Sequence, residues 1–286
     1  MWYIIKNIAL WALKYPALIG MNLIRHDKAS TIDSRYDIEY GNHRLQRYDV
    51  HTAIKGDGLP TLFYIHGGSW MSLDKKYYNY IVKTIGEAGY RVININYRLL
   101  PKFTLSDVVL DCESAIMHAL KNIQGINRQK LLIAGDSAGA HLSALIAAKA
   151  NSGAMGDIKF IGAGIIYGLM DMNDMIYGKA GLFKFLTKYF LKETGSNYKE
   201  ILNEFSPVIY FNGNFPPAFI TSGTRDPLHP ATASFIRIME DKGVKHRALI
   251  FSKDRRDGMH GFLSMTWLSS SKEAMKAMLE FFNELC

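Results

Sequence analysis

The sequence predicts an α/β fold with a mostly parallel sheet, and two observations carry that prediction. From residue 61 onward, short strand-like runs alternate with helical patterns, which implies crossover units returning to one sheet. At residues 130 to 150, "KLLIAGDSAGAHLSALIAAKA", an unbroken apolar run passes through Gly-Asp-Ser-Ala-Gly into a run whose apolar residues recur every three or four positions. The first half reads as a strand buried on both faces and the second as a helix, so Ser137 stands at the apex of a strand-to-helix turn.

Taken in chain order, residues 2 to 24 are apolar and aromatic but broken by Lys6, Asn7, Lys14 and Pro16, leaving no uncharged span of membrane-crossing length. A signal peptide fits poorly, because the charged leading region and a small-residue cleavage site are missing. The stretch is expected to form a helical segment over residues 1–30 that acts as a cap element, with peripheral membrane contact through residues 1–28 as the alternative. Residues 31–286 are expected to form a single domain.

Strands are expected near Arg35 to Tyr40, Leu45 to Ala53, Thr61 to Ile65, Arg91 to Ile95, Lys130 to Ala134, Phe160 to Ile166, Ala218 to Ser222 and His246 to Phe251. The first two lie close enough for a hairpin. Helices are expected near Lys76 to Ala88, Leu105 to Lys121, Ala138 to Ala150, Thr232 to Lys242 and Lys272 to Leu285. Between about 169 and 217 the alternation stops; this helical, strand-free insertion is too long for a simple connection and is expected to cover a pocket.

Composition excludes several classes. With 48% apolar and 21% charged residues, the 286-residue chain has ordinary globular composition and ample core material. The net charge of +8 is spread out, and its densest run, Lys242 to Arg256, lacks interleaved aromatics, so no nucleic-acid partner is expected. Cys112 and Cys286 are the only cysteines, and no metal-ligand or redox spacing accompanies them. A reducing, cytoplasmic setting without a metal or cofactor is the expectation.

Two glycine-rich turns carry the chemistry. Gly135 and Gly139 flank Ser137 by two residues on each side, where Cβ atoms would collide across so sharp a turn. In "LFYIHGGSW", residues 62 to 70, an apolar strand ends in His66-Gly67-Gly68-Ser69, so backbone N–H groups can converge on an oxyanion. A serine nucleophile needs a base, and the base an orienting acid; behind such an elbow the chain order is Ser, then Asp or Glu, then His.

That order leaves His229, His246 and His260 among nine histidines. His246 lies within an expected strand and His229 follows too closely on the strand that supplies the acid. His260, in "RDGMHGF", sits between the last strand and the last helix and is the best base. Asp226, in "FITSGTRDPLHP", is the leading acid, with Asp171 and Asp174 behind the preceding strand as alternatives. Asp254 and Asp257 read as solvated, and Asp136 as shaping the turn. Trp70, Met71, Tyr97, Tyr167, Phe183 and Phe185 are candidates to line a pocket, although an aromatic at such spacing is more often part of a core.

"HGGSW", "GDSAG", "DPL" and "HGF", in this order and at these intervals, resemble the hormone-sensitive-lipase-like esterase branch of the α/β-hydrolase superfamily over roughly residues 35 to 285. The resemblance implies the α/β-hydrolase fold, an eight-stranded sheet with helices on both faces, a helical cap, and cofactor-free hydrolysis of small carboxylic esters, usually with short acyl chains. Carried over by motif, Ser137 is nucleophile, His260 base and Asp226 orienting acid, with backbone N–H groups of Gly67, Gly68, Ser69 and Ala138 forming the oxyanion hole. Ser69 departs from the family's usual third glycine, and its Cβ weighs against unusual backbone angles. Amide or formamide hydrolysis, a membrane-associated lipase and a non-catalytic binding protein on the same scaffold are the competing readings.

Overall fold

The computed structural model describes residues 31–54, 58–173, 198–211 and 213–286. Eight strands form one sheet: β1 (Ile32–Glu39), β2 (Arg47–Ala53), β3 (Thr61–Ile65), β4 (Arg91–Ile95), β5 (Leu131–Asp136), β6 (Gly162–Ile166), β7 (Ala218–Gly223) and β8 (His246–Phe251). Their spatial order is β1-β2-β4-β3-β5-β6-β7-β8. β1 and β2 form the expected antiparallel hairpin, β2 runs antiparallel to β4, and every later neighbour pairs in parallel.

Strand alternation divides the core. In β3, Phe63 and Ile65 face one layer while Leu62 and Tyr64 face the other. The first layer is closed by α2 (Leu105–Asn122), α3 (Ala138–Asn151) and α5 (His229–Asp241), through residues such as Ile116, Leu145 and Phe235. The second is closed by α1 (Asn79–Glu87) and α6 (Ser269–Asn283), through Ile85, Met278 and Phe282. With helices on both faces the central strands read as continuous apolar runs; all five residues of β3 are buried.

Helix starts differ from the periodicity in three places. The first helix opens as a 3₁₀ turn, Lys75–Tyr78, capped by Asp74, because Lys75 turns inward to Asp49 at 2.6 Å and Asp37 at 2.8 Å. α5 begins three residues early at His229, where Pro230 occupies the first turn and loses no internal hydrogen bond. α6 also begins three residues early, at Ser269, because Asp257 from the preceding loop accepts from Ser270 N–H and the Ser269 hydroxyl. Asp257 is therefore a helix cap rather than the solvated residue expected, and the adjoining Arg255 guanidinium holds its carboxyl below the usual carboxylate range.

The basic run from 242 to 256 is partly neutralised by acids distant in sequence: Arg247 pairs with Glu284, and Arg255 with Glu273 as well as Asp257. Cys112 is buried and Cys286 exposed, and both are free thiols.

The N-terminal cap expectation lies outside the described residues, as does most of the insertion. The described parts of 169–217 contain α4 (Tyr198–Glu204) and a 3₁₀ turn, Pro207–Tyr210, and no strand. They join the core: Phe211 stacks on Phe215 at 4.2 Å, and both meet Phe235 of α5 edge-on. Among the described residues no helix is long and apolar enough to cross a membrane.

Candidate active site

Ser137 joins β5 directly to α3 with φ 52° and ψ −118°, a conformation costly for a residue with a Cβ. The turn is held because Ser137 N–H donates to the Ile166 carbonyl of β6 at 2.9 Å. Close approach explains the flanking glycines. A Cβ at residue 139 would lie 2.0 Å from the Ile65 carbonyl at the end of β3, and one at 135 would meet that carbonyl and the Gly139 backbone at 2.5 Å. The serine turn is thus pressed against the turn that follows β3.

His260 lies in the loop between β8 and α6, and its Nε2 is 3.0 Å from Ser137 Oγ. Its Nδ1 faces both Asp226 oxygens at 3.0 and 2.9 Å. An ionised carboxylate only accepts, so Nδ1 carries the proton and Nε2 presents a lone pair to the hydroxyl. The Asp226 side chain is fully buried and also accepts from Leu228 N–H at 2.7 Å, which fixes the carboxylate from its own loop. His260 keeps 21% of its side chain exposed. Three residues separated by as many as 123 positions therefore form one line from hydroxyl to carboxylate.

The competing candidates are engaged elsewhere. Asp171 accepts from Asn173 and from the Ser206 hydroxyl, His246 meets the Val244 carbonyl, and His229 opens α5. Asp174, Phe183 and Phe185 lie outside the described residues. Of the proposed pocket aromatics, Trp70 and Tyr97 are buried, and Tyr97 stacks on His66 at 4.3 Å. Tyr167, also buried, packs its ring 4.9 Å from that of His260.

The glycine turn after β3 is bent through consecutive left-handed residues: Gly68 at φ 111°, Ser69 at 54° and Trp70 at 59°. Gly68 admits no side chain, since a Cβ there would sit 2.1 Å from the Ser72 carbonyl. Ser69 adopts the unfavourable angle all the same, held because Met71 and Ser72 N–H both donate to the Gly68 carbonyl at 3.0 Å. Among the described residues, no acceptor takes the N–H of Gly68, Ser69 or Ala138.

The Gly67 N–H, expected to face an oxyanion with those three, does not. It donates to Asp136 Oδ1 at 3.0 Å and to the Tyr78 hydroxyl at 3.2 Å. Asp136 also receives Tyr64 at 3.3 Å and Tyr78 at 3.2 Å, with Tyr167 at 3.5 Å. Burial pushes the Asp136 carboxyl up to about 6. Neither tyrosine of β3 and the 3₁₀ turn carries a sequence signal for this role; alternation marks Tyr64 only as inward-facing.

One helical turn beyond Ser137, buried His141 donates from Nε2 to the Phe205 carbonyl at 2.7 Å and meets Trp70 edge-on at 5.1 Å. It ties α3 to the insertion and to the glycine turn. Burial lowers its pKa to about 4, so it is neutral at pH 7. Among the described residues, no cluster of three or more His, Cys, Asp or Glu side chains is placed to hold a metal.

A family model described as BD-FAE matches residues 49–237. The chain is 28% identical over 223 residues to Esterase LipQ of Mycobacterium tuberculosis, covering 73% of this chain and 53% of that one. It is 28% identical over 209 residues to Esterase LipC of the same organism, covering 68% and 52%. The chain thus spans about half the length of these curated relatives. Its structure is similar to that of Esterase B from Lactobacillus Rhamnosis, with TM-score 0.84 and 17% identity over 99% of this chain and 95% of that one, and this likeness shows a shared α/β-hydrolase fold.

Proposed function

The chain belongs to the BD-FAE family, and on that premise we propose that it is a serine esterase cleaving small carboxylic esters, with a preference for short acyl chains, through an acyl-enzyme. The observation that carries the reading is the continuous contact from Ser137 Oγ through His260 to Asp226. The esterase names of the relatives support the substrate class.

In this reading His260 Nε2 takes the Ser137 proton as Oγ attacks the ester carbonyl, and Asp226 stabilises the resulting imidazolium without itself taking the proton. The N–H groups of Gly68, Ser69 and Ala138 receive the negative charge on the carbonyl oxygen. The tetrahedral species collapses as His260 returns the proton to the leaving alcohol. Water, deprotonated by the same imidazole, then attacks the acyl-enzyme, and the carboxylic acid departs with Ser137 restored. Fixed donors gain over water because they need no reorientation as charge develops, and removing one such donor costs about 100- to 1,000-fold in turnover.

Hydrolysis of nitrophenyl esters from acetate to palmitate, measured beside Ser137→Ala, tests the proposal. Rates that fall with acyl length and vanish in the variant are expected. Activity confined to long chains and rising at an interface would replace the short-chain reading with a lipase one. Folded protein inactive on every ester would overturn the esterase reading.

A further inference from the structure

The Asp136 carboxylate joins the two turns that frame Ser137. It lies one residue before Ser137, is 3% exposed, and accepts the Gly67 N–H across 69 residues of sequence. Gly67 is the residue immediately before Gly68 and Ser69, whose N–H groups are assigned above to the oxyanion. The Gly67 carbonyl is turned the opposite way, toward His66 Nδ1 at 2.7 Å and the Tyr97 hydroxyl at 3.4 Å. The peptide planes on either side of Gly67 are therefore fixed from both sides, one by Asp136 and one by the His66–Tyr97 stack.

Space makes the contact obligatory. A Cβ on residue 67 would meet Asp136 Oδ2 at 2.8 Å and the Asp136 carbonyl at 2.9 Å, so only glycine lets the loop come this close. Tyr64 from β3, Tyr78 from the 3₁₀ turn and Tyr167 beyond β6 close the remaining sides, while Tyr97 and His260 act on Asp136 through space. Tyr167 in turn packs against the His260 ring, tilted at 60° with centroids 4.9 Å apart.

We propose that Asp136 is a positioning residue for the oxyanion hole: its ionised carboxylate holds the Gly67 N–H and thereby fixes the Gly68 and Ser69 N–H groups over Ser137. The inference rests on the esterase reading for its catalytic consequence, though the anchoring itself does not. Burying a carboxylate is costly unless hydrogen bonds compensate, and here one of the compensating donors, the Gly67 N–H, belongs to the loop being positioned, while Tyr64, Tyr78 and Tyr167 hold the carboxylate itself in place. Because burial raises the Asp136 pKa to about 6, the anchor weakens as pH falls through that value and is intact above it.

The direct test measures kcat and KM from pH 5 to 8 for the wild type, Asp136→Ala and Asp136→Asn, with backbone hydrogen exchange at residues 66 to 70 on the same proteins. Loss of the anchor in Asp136→Ala is expected to lower kcat about 100-fold with KM within about threefold, the effect of displacing a donor by a fraction of an ångström to one ångström. Asp136→Asn keeps a neutral acceptor for Gly67 and should recover about tenfold of that loss. Its shortfall against the wild type should shrink to about twofold at pH 5, where Asp136 is mostly protonated, and reach about tenfold at pH 8. Exchange at Gly67 should quicken about tenfold or more in Asp136→Ala.

If Asp136→Ala fails to fold, Tyr78→Phe, which removes one donor to Asp136 and one acceptor from Gly67, should move kcat and exchange the same way by a smaller factor. A pH-independent ratio between wild type and Asp136→Asn, or unchanged exchange at Gly67, overturns the proposal. A wild type that hydrolyses no ester while exchange responds as described would instead overturn the esterase reading and leave the anchor standing.

Discussion

The convergence of Ser137, His260 and Asp226 was legible because a strand-to-helix serine turn of this kind is followed along the chain by an acid and then a histidine, each after a later strand. What spacing did not reveal is where spare hydrogen-bonding capacity goes. Gly67 looked equivalent to Gly68 in sequence, yet a buried carboxylate one strand away claims its N–H. His141 illustrates the same point. It reads as one polar residue within an apolar helix, and only the arrival of the Phe205 carbonyl from 64 residues away explains its burial. Its pKa falls from 6.5 to about 4 on folding, so the unfolded chain takes the proton first and stability is lost as pH drops between those values. Urea unfolding at pH 7.5 and pH 4 should show the wild type losing up to roughly 3 kcal/mol relative to His141→Gln over that interval. Parallel stability curves for the two proteins would contradict the assignment of a neutral, buried imidazole.

At the scale of elements, the central strands β3 and β5 fall where apolar runs place them, because a strand covered on both faces has little choice of residue, whereas the largely exposed edge strand β1 begins three residues before the expected Arg35. Helix ends were less legible because their caps come from elsewhere in the chain. α6 has no side-chain cap at Leu268; Asp257, a dozen residues upstream, supplies the acceptor for Ser270 N–H at 2.8 Å. Asp257→Ala should therefore cost about 1 kcal/mol, as loss of a helix cap does. Since its folded pKa lies below the usual carboxylate range, this contribution is fully present above that range and is lost progressively as pH falls from it toward the lower folded pKa. Thermal melts of both proteins at pH 7 and pH 2.5 check the assignment: the gap in Tm should narrow in acid, and a gap unchanged by pH would contradict it.

For the molecule as a whole, one sheet with two apolar layers brings the ends of β3, β5, β7 and β8 to one side, so the glycine turn, Ser137, Asp226 and His260 meet although the chain delivers them far apart. The alternation of periods made that architecture readable, while the basic run from 242 to 256 is offset locally by ion pairs such as Arg247–Glu284 that only the fold creates. On the proposed esterase reading, this convergence makes Ser137 the nucleophile. The most direct measurement is stoichiometric reaction of the protein with a nitrophenyl phosphonate, followed by intact mass and peptide mapping. One adduct per chain, located on Ser137, accompanied by complete loss of ester hydrolysis and absent from His260→Ala over the same interval, is the predicted result. An adduct elsewhere, or ester hydrolysis that survives both full labelling and Ser137→Ala, would contradict it.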